Sequence, residues 1–225
     1  MTEYFYLSDE KYVDLKTWPR REAFEFFRGF DKPYFNVCTR LDVTSLLGFV
    51  DETKIASVTL AYHYIAIRAG NAVENFRYRL REGRVLVHPV IHGGTTVILP
   101  NESFSFAYFE YVDDFKKFAD AAGRAIKAAQ ATEGDFRPHA NDDMIHFTTL
   151  PWFSFTSMSH ARNWGREDSV PKIAFGGFEK QEGKVFLPIS VEVHHALMDG
   201  FHMGRFLGEI EKMMVQPKKY LSCGE

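Results

Sequence analysis

The sequence predicts a mixed α/β fold carried by a single domain over residues 1–225. Short apolar runs with strand alternation are interspersed with longer runs of helical spacing, and no regular strand–helix–strand repeat links them. No Gly-rich loop joins a strand to a helix in the manner of a phosphate-binding turn, which argues against a dinucleotide or nucleoside-triphosphate site. Hydrophobic residues make up 45% of the chain and aromatics 16%, with 22 phenylalanines, so the chain can bury a large core.

The elements follow in chain order. "SVTLAYHYIAIRAGNAV" (57–73) carries apolar residues around most of a helical circumference, as a buried helix does. "NFRYRLREGRVLVHPVI" (75–91) alternates on either side of Glu82-Gly83, the pattern of a β-hairpin. "ESFSFAYFEYV" (102–112) reads as an aromatic-rich strand. "VDDFKKFADAAGRAIKAAQ" (112–130) opens on acidic residues and repeats at helical spacing. Residues 131–143 form the longest loop-like stretch. "MIHFTTLPWFSF" (144–155) and "GKVFLPISVEVHH" (183–195) read as strands, and "GFHMGRFLGEIEKMMVQ" (200–216) closes the chain as an amphipathic helix.

A formal charge of −3, a pI near 6.3 and scattered Lys and Arg give no basic stripe for nucleic acid or an acidic membrane. The amino terminus has no apolar run of signal-peptide type, and no stretch reaches the ~18 apolar residues of a membrane-spanning helix. Cys38 and Cys223 lie far apart and fit no metal or redox spacing. They are expected as free thiols of a cytoplasmic protein, with Cys38 in a buried strand.

The chemistry concentrates in "ISVEVHHALMDGFHMGRF" (189–206). Strand alternation puts Leu187, Ile189, Val191, Val193 and His195 on one apolar face, and Ser190, Glu192 and His194 on the other. His195 therefore ends the buried face where the strand gives way to a turn, and desolvation there favours the neutral imidazole that can accept a proton. Parity alone leaves two readings, a general base or a satisfied core histidine. Asp199 in the following turn needs a partner if buried. His194, His195, Asp199 and His202 together could suggest a metal site. Alternation sends the adjacent histidines to opposite faces, which argues against a shared ion.

"HHALMDGFHMGRF" (194–206) resembles the HHxxxDG signature of the chloramphenicol acetyltransferase family, including the GFHxGRF that follows it there. Acyltransferase cores of 2-oxoacid dehydrogenase complexes carry a DHRxxDG version, and peptide-synthetase condensation domains also use HHxxxDG. "WPRREAFEFF" (18–27), "NESFSF" (101–106) and "TTLPWFSFTS" (148–157) are similar to further family segments, in family order across most of the chain.

The resemblance implies a two-layer CoA-dependent acyltransferase fold, with a largely antiparallel mixed sheet and flanking helices. It implies direct transfer of an acetyl group from acetyl-CoA to a hydroxyl of chloramphenicol, with no metal and no acyl-enzyme. His195 would be the general base. Thr148 stands where the family has a serine that stabilises the oxyanion, keeping the hydroxyl but stiffening χ1. Asp199 would pair with Arg20 in support of the histidine's turn. His194 is expected to be structural, and His202 to cap or pack. Phe26, Phe27 and Phe104 match positions of the acceptor pocket. His160 and Lys172 stand at positions usually apolar in the family, and Ala174 replaces a threonine. These departures leave open a more polar acceptor, or a Lys172 that points to solvent. The resemblance further implies a homotrimer with active sites between subunits. The alternatives are a CoA-dependent O- or N-acyltransferase with another acceptor, and a non-catalytic relative that binds a small molecule.

Overall fold

A seven-stranded mixed sheet organises the protein, described from a computed structural model for residues 11–131, 141–162 and 168–222. The elements are β1 (Lys11–Tyr12), α1 (Arg21–Phe27), β2 (Tyr34–Asp42), α2 (Thr44–Thr53), α3 (Val58–Ala72), a 3₁₀ turn (Glu74–Arg77), β3 (Tyr78–Arg81) and β4 (Arg84–Val87). They continue as β5 (His92–Ile98), β6 (Phe104–Phe109), α4 (Phe115–Ala131), β7 (Met144–Thr149), β8 (Lys172–Phe175), β9 (Glu179–Gln181), β10 (Lys184–His194), α5 (Gly200–Val215) and α6 (Pro217–Leu221). The large sheet runs β2–β10–β8–β7–β5–β6, with β9 paired to the start of β10. Only the β5–β7 and β7–β8 pairings are parallel. A second sheet, β1–β4–β3, lies beside it.

The helix expected at 57–73 is α3, buried along nearly its whole length, with the Ser57 hydroxyl accepting the Leu60 N–H at its start (3.3 Å). The expected hairpin is β3–β4. Its two turn residues, Glu82 and Gly83, both take positive φ (50° and 72°), the backbone twist that a two-residue hairpin favours.

The strand expected over 144–155 stops at Thr149. Pro151 has no N–H to continue a ladder, and the chain then folds back onto Gly177, whose N–H donates to Phe153 O at 2.7 Å. A Cβ at Gly177 would meet Pro151 O at 3.0 Å, so a side chain here would push the loop outward by a few tenths of an ångström. Most of the loop-like stretch 131–143, together with Cys223, falls outside the described residues. Cys38 does lie in a strand, β2, but is half-buried rather than buried.

One face of the large sheet presents Ile145, Phe147, Ile173, Phe175, Leu187, Ile189, Val191 and Val193 to α2, α3 and α5 in the main core. The opposite face is overlaid at one end by the segment 152–162. At the β5–β6 end it is open, leaving Ile98 and Phe104 55% and 44% exposed. A smaller core joins Phe24 of α1, Tyr78, Leu80, Val85 and Val87 of the second sheet, and Ala196 and Leu197. That core fixes the turn after β10 from below. Fully buried Arg79 ties the two sheets together by donating to the carbonyls of Phe76, Tyr78, Asp142 and Met144 at 2.5–2.9 Å. Among the described residues, no helix is long and apolar enough to cross a membrane.

Candidate active site

β10 ends at His194, and the next residue is still tied to the sheet: His195 N–H donates to Pro33 O at 2.7 Å. The chain then turns sharply, with the N–H groups of Leu197 and Met198 both reaching His194 O. Ala196 N–H donates to His194 Nδ1 (3.2 Å), so this ring carries its hydrogen on Nε2. Burial, aided by the nearby Arg162 cation, pushes the His194 pKa down to about 4. His194 is thus a neutral internal cap on the turn. Asn75, which the sequence reading did not single out, adds a second hold by donating to Leu197 O at 2.9 Å. A lone asparagine in a short 3₁₀ turn carries no periodic signal that would have revealed it.

The His195 ring lies parallel to Phe27, with centroids 3.7 Å apart and planes 8° apart, and tilts against Phe35 at 4.7 Å. Phe27 in turn meets Phe26 and Phe30 edge-on or tilted. The imidazole therefore sits in an aromatic slot built by α1 and the start of β2. Its Nδ1 is buried without a hydrogen-bond partner.

Asp199 is the N-cap of α5. Its Oδ1 accepts the Phe201 N–H (3.0 Å), and its Oδ2 forms an ion pair with Arg20 Nη1. The other fork nitrogen of Arg20 reaches His195 O at 3.4 Å. Burial works to raise the Asp199 pKa, but Arg20 and His202 outweigh it and hold the carboxyl below its ordinary range. His202 closes a capping box, its Nδ1 accepting the Asp199 N–H at 3.3 Å.

Thr148 lies elsewhere. Its β7 neighbours Phe147 and Thr149 face α3, where both meet His63, so Thr148 points to the opposite face. In register beside it stand Ala174 of β8 and then Ser190 of β10. One step along the same face come His146, Lys172, Glu192 and Asn36. Phe104 lies on β6 at the open end.

Lys172 does not point to solvent. Its Nζ donates to Ala161 O at 2.7 Å and to Asp168 Oδ2 at 3.0 Å. Burial and the Arg162 cation lower its pKa against the pull of Asp168. Arg162 is the hub, only 1% exposed: Nε donates to Glu192 Oε1 at 2.7 Å, Nη1 to Asp168 Oδ1 and Val170 O, and Nη2 to Glu192 O. His160 is held against the same face, its backbone N–H donating to Glu192 Oε2 at 3.3 Å. Its Nε2 is buried without a partner, and burial pushes its pKa down to about 4.

The candidate residues of one chain therefore fall into two separate groups. His195, Phe26, Phe27, Arg20 and Asp199 gather at the end of β10. Thr148, Phe104, His160 and Lys172 lie on or against the sheet's second face. From Ser190, level with Thr148, five residues of β10 lead to His195, roughly 16 Å along and two strands across, or about 19 Å. Among the described residues no group of three or more His, Cys, Asp and Glu is arranged to hold a metal ion.

Residues 9–211 match the family model described as chloramphenicol acetyltransferase. The chain belongs to the chloramphenicol acetyltransferase family. It is, with that family, an acyltransferase. A chloramphenicol acetyltransferase from Escherichia coli is 31% identical over 203 residues, covering 89% of this chain and 91% of its own length. One from Streptomyces acrimycini is 31% identical over 209 residues, covering 91% and 94%. A solved chloramphenicol acetyltransferase structure superposes with a TM-score of 0.82 at 26% identity, covering 92% of this chain and all of its own. The cubic core of a pyruvate dehydrogenase multienzyme complex shares the fold, with a TM-score of 0.64 at 14% identity over 96% of this chain and 95% of its own. The chloramphenicol acetyltransferase fold expected from the sequence, a largely antiparallel mixed sheet with flanking helices, is the one observed.

Proposed function

We propose that the protein transfers an acetyl group from acetyl-CoA to a hydroxyl of chloramphenicol, in active sites formed between copies of the chain in a homotrimer. The relatives' names support the donor group and the acceptor. The observation that carries the mechanism is His195, parallel to Phe27 in an aromatic slot at a turn clamped by Arg20 and Asp199. With Nδ1 buried, Nε2 is the nitrogen left for chemistry.

In this reading Nε2 takes the acceptor's hydroxyl proton as the oxygen attacks the thioester carbonyl. The new C–O bond gives a tetrahedral oxyanion, to which the Thr148 hydroxyl of a second copy donates a hydrogen bond. Collapse breaks the C–S bond, and the CoA sulfur leaves with the proton returned from His195. Phe26, Phe27 and Phe104 supply apolar walls for the acceptor ring.

The interfacial arrangement is supported by distance. At about 19 Å, His195 and Thr148 of one chain cannot reach the same carbonyl, since reacting groups must approach to about 3 Å. Ile98 and Phe104 exposed on the Thr148 face, with Phe26 exposed beside His195, are apolar surface suited to a second copy.

CoA thiol release from acetyl-CoA, with and without chloramphenicol, tests the reading. Chloramphenicol-dependent release in the wild type, lost in His195→Ala, is the expected result. Release with neither protein, from correctly assembled material, rejects chloramphenicol as acceptor. A second acceptor is favoured by one observation: Lys172, ion-paired with Asp168, puts a charge at a position where the resemblance implies an apolar side chain, two residues from Ala174 on the same strand. A panel of hydroxyl and amine acceptors in the same assay decides between them. Ligand binding without turnover of any acceptor would leave the non-catalytic relative.

A further inference from the structure

We propose that His202 is a positioning residue for His195, acting through the Asp199 carboxylate and the Arg20 fork. The inference rests on the reading of His195 as general base.

The chain of contacts is short. Arg20 is joined to the catalytic turn through two nitrogens: Nη2 reaches His195 O at 3.4 Å, and Nη1 is ion-paired with Asp199. Its Nε is buried without a partner. A guanidinium held only through its fork takes its orientation from what the fork grips, so the attitude of Asp199 is passed to the His195 backbone.

Asp199 is itself held from both sides. Its Oδ1 accepts the Phe201 N–H, which fixes one oxygen to the helix start. His202 Nδ1 lies 3.3 Å from the Asp199 N–H and 3.0 Å from Oδ1. The ring thus grips the residue at its backbone and faces its carboxylate.

The protonation state of His202 selects which of these contacts is a bond. With Nδ1 bare, the ring accepts the Asp199 N–H, and both carboxylate oxygens are left to Phe201 and Arg20. With Nδ1 protonated, the ring donates to Oδ1 and competes for the charge that orients Arg20. The charged groups around the ring are Asp199 in the turn, Arg20 at the start of α1, and Arg205 one turn along α5. Burial, with Arg20 and Arg205, disfavours the imidazolium more than Asp199 favours it, so the pKa lies below the ordinary value. The neutral ring is therefore the resting one, and its tautomer with Nδ1 bare is the form that accepts the Asp199 N–H and leaves the Arg20 pair undisturbed.

Three proteins test this: wild type, His202→Phe, which keeps ring bulk but deletes both nitrogens, and His202→Asn, whose Oδ1 can occupy the place of Nδ1. Two readouts are taken, steady-state CoA release with chloramphenicol, and the rate at which diethyl pyrocarbonate labels the His195 imidazole, followed by mass spectrometry. His202→Phe is expected to lower kcat about 10- to 100-fold, the cost of a reacting group displaced by up to about 1 Å, with KM for both substrates within about twofold. Its His195 labelling rate should shift. His202→Asn should restore both readouts to within about threefold of wild type.

Wild-type kcat in His202→Phe would overturn the proposal, as would a loss carried mainly in KM, or an Asn variant no better than Phe. If the Phe variant does not fold, His202→Leu removes the nitrogens without the ring and is held to the same outcomes. If the wild type releases no CoA with chloramphenicol, the proposed acceptor fails, and labelling alone then judges the positioning role. Equal labelling in all variants rejects it.

Discussion

On the helix-covered face of the large sheet, β7, β8 and β10 present Ile145, Phe147, Ile173, Phe175, Ile189, Val191 and Val193. On the opposite face the same strands present His146, Thr148, Lys172, Ser190, Glu192 and His194. Both faces bury polar groups, but they do so differently. His63 enters the first face from α3, stacked on Phe147, with Nε2 3.3 Å from Thr149 Oγ1 and Nδ1 without a partner. On the second face Arg162, Glu192, Asp168 and Lys172 satisfy one another and pin the carbonyls of Ala161, in the overlying segment, and of Val170, just before β8. A core made to exclude water tolerates one neutral imidazole. A surface that must hold an overlying segment in place uses charges that answer each other. On the proposed reading, Thr148 stands on this second kind of face and His195 ends the first.

The largest expected effect comes from cutting that wiring at its hub. Arg162 and Glu192 are 1% and 8% exposed, so removing only the cation strands a carboxylate away from water. Arg162→Met should destabilise the protein by about 3–5 kcal/mol in urea unfolding, whereas the double change with Glu192→Met should recover more than half of that loss. A loss under about 1 kcal/mol for the single change would mean that water reaches the network and the face is less buried than drawn. The equivalent test on the first face, His63→Phe, should cost much less, because no charge is left behind.

These two faces were unequally legible in the sequence. Alternation along 187–195 separated them correctly, because β10 is long and one of its faces is apolar without interruption. That same alternation put Glu192 and His194 together on the other face without showing what covers it. They are buried, since the segment covering them lies about thirty residues earlier in the chain and brings Arg162 with it. No local pattern announces such a partner. α3 and the Glu82-Gly83 hairpin were readable because helical burial and a positive-φ turn are local properties. β8, only four residues long and flanked by polar loop, was not. Around His195, the turn and Asp199 were readable as one contiguous stretch. Arg20, 179 residues from Asp199, entered only through the family resemblance, and Asn75 not at all.

Thr148 and His195 sharpen the comparison into a functional test, smaller in free energy than loss of the hub. If the second face supplies the oxyanion donor, Thr148→Ala should lower kcat about 10²–10³-fold, and Thr148→Ser should stay close to wild type because the hydroxyl remains. The decisive step mixes two inactive proteins. Trimers reassembled from equal amounts of His195→Ala and Thr148→Ala should regain about a quarter of wild-type activity, because a closed ring pairs an intact histidine with an intact hydroxyl at one interface in four. No recovery from verified mixed trimers would mean that base and hydroxyl act within one chain or not together, and the half-site arrangement would fall.

The smallest effect concerns the single imidazole on the first face. Burial pushes the His63 pKa down to about 3, and His194 on the second face to about 4, against an ordinary value of 6.5. Both folded values are depressed, so the unfolded chain binds protons that the folded chain refuses. Stability is therefore full above about pH 6.5 and is lost as pH falls through the window toward 3–4. Each such histidine contributes a slope of about 1.4 kcal/mol per pH unit below the unfolded value. Carboxylates held below their ordinary range, such as Asp142, add their own loss only near pH 4 and under. Between pH 6 and 5 the slope belongs mainly to imidazoles. His63→Phe, which keeps an aromatic ring against Phe147, should then reduce the slope of unfolding free energy against pH by about one proton over that interval. Identical slopes in the two proteins would show that His63 is protonated, or reached by water, in the folded state. The two faces would then treat their polar groups more alike than their packing implies.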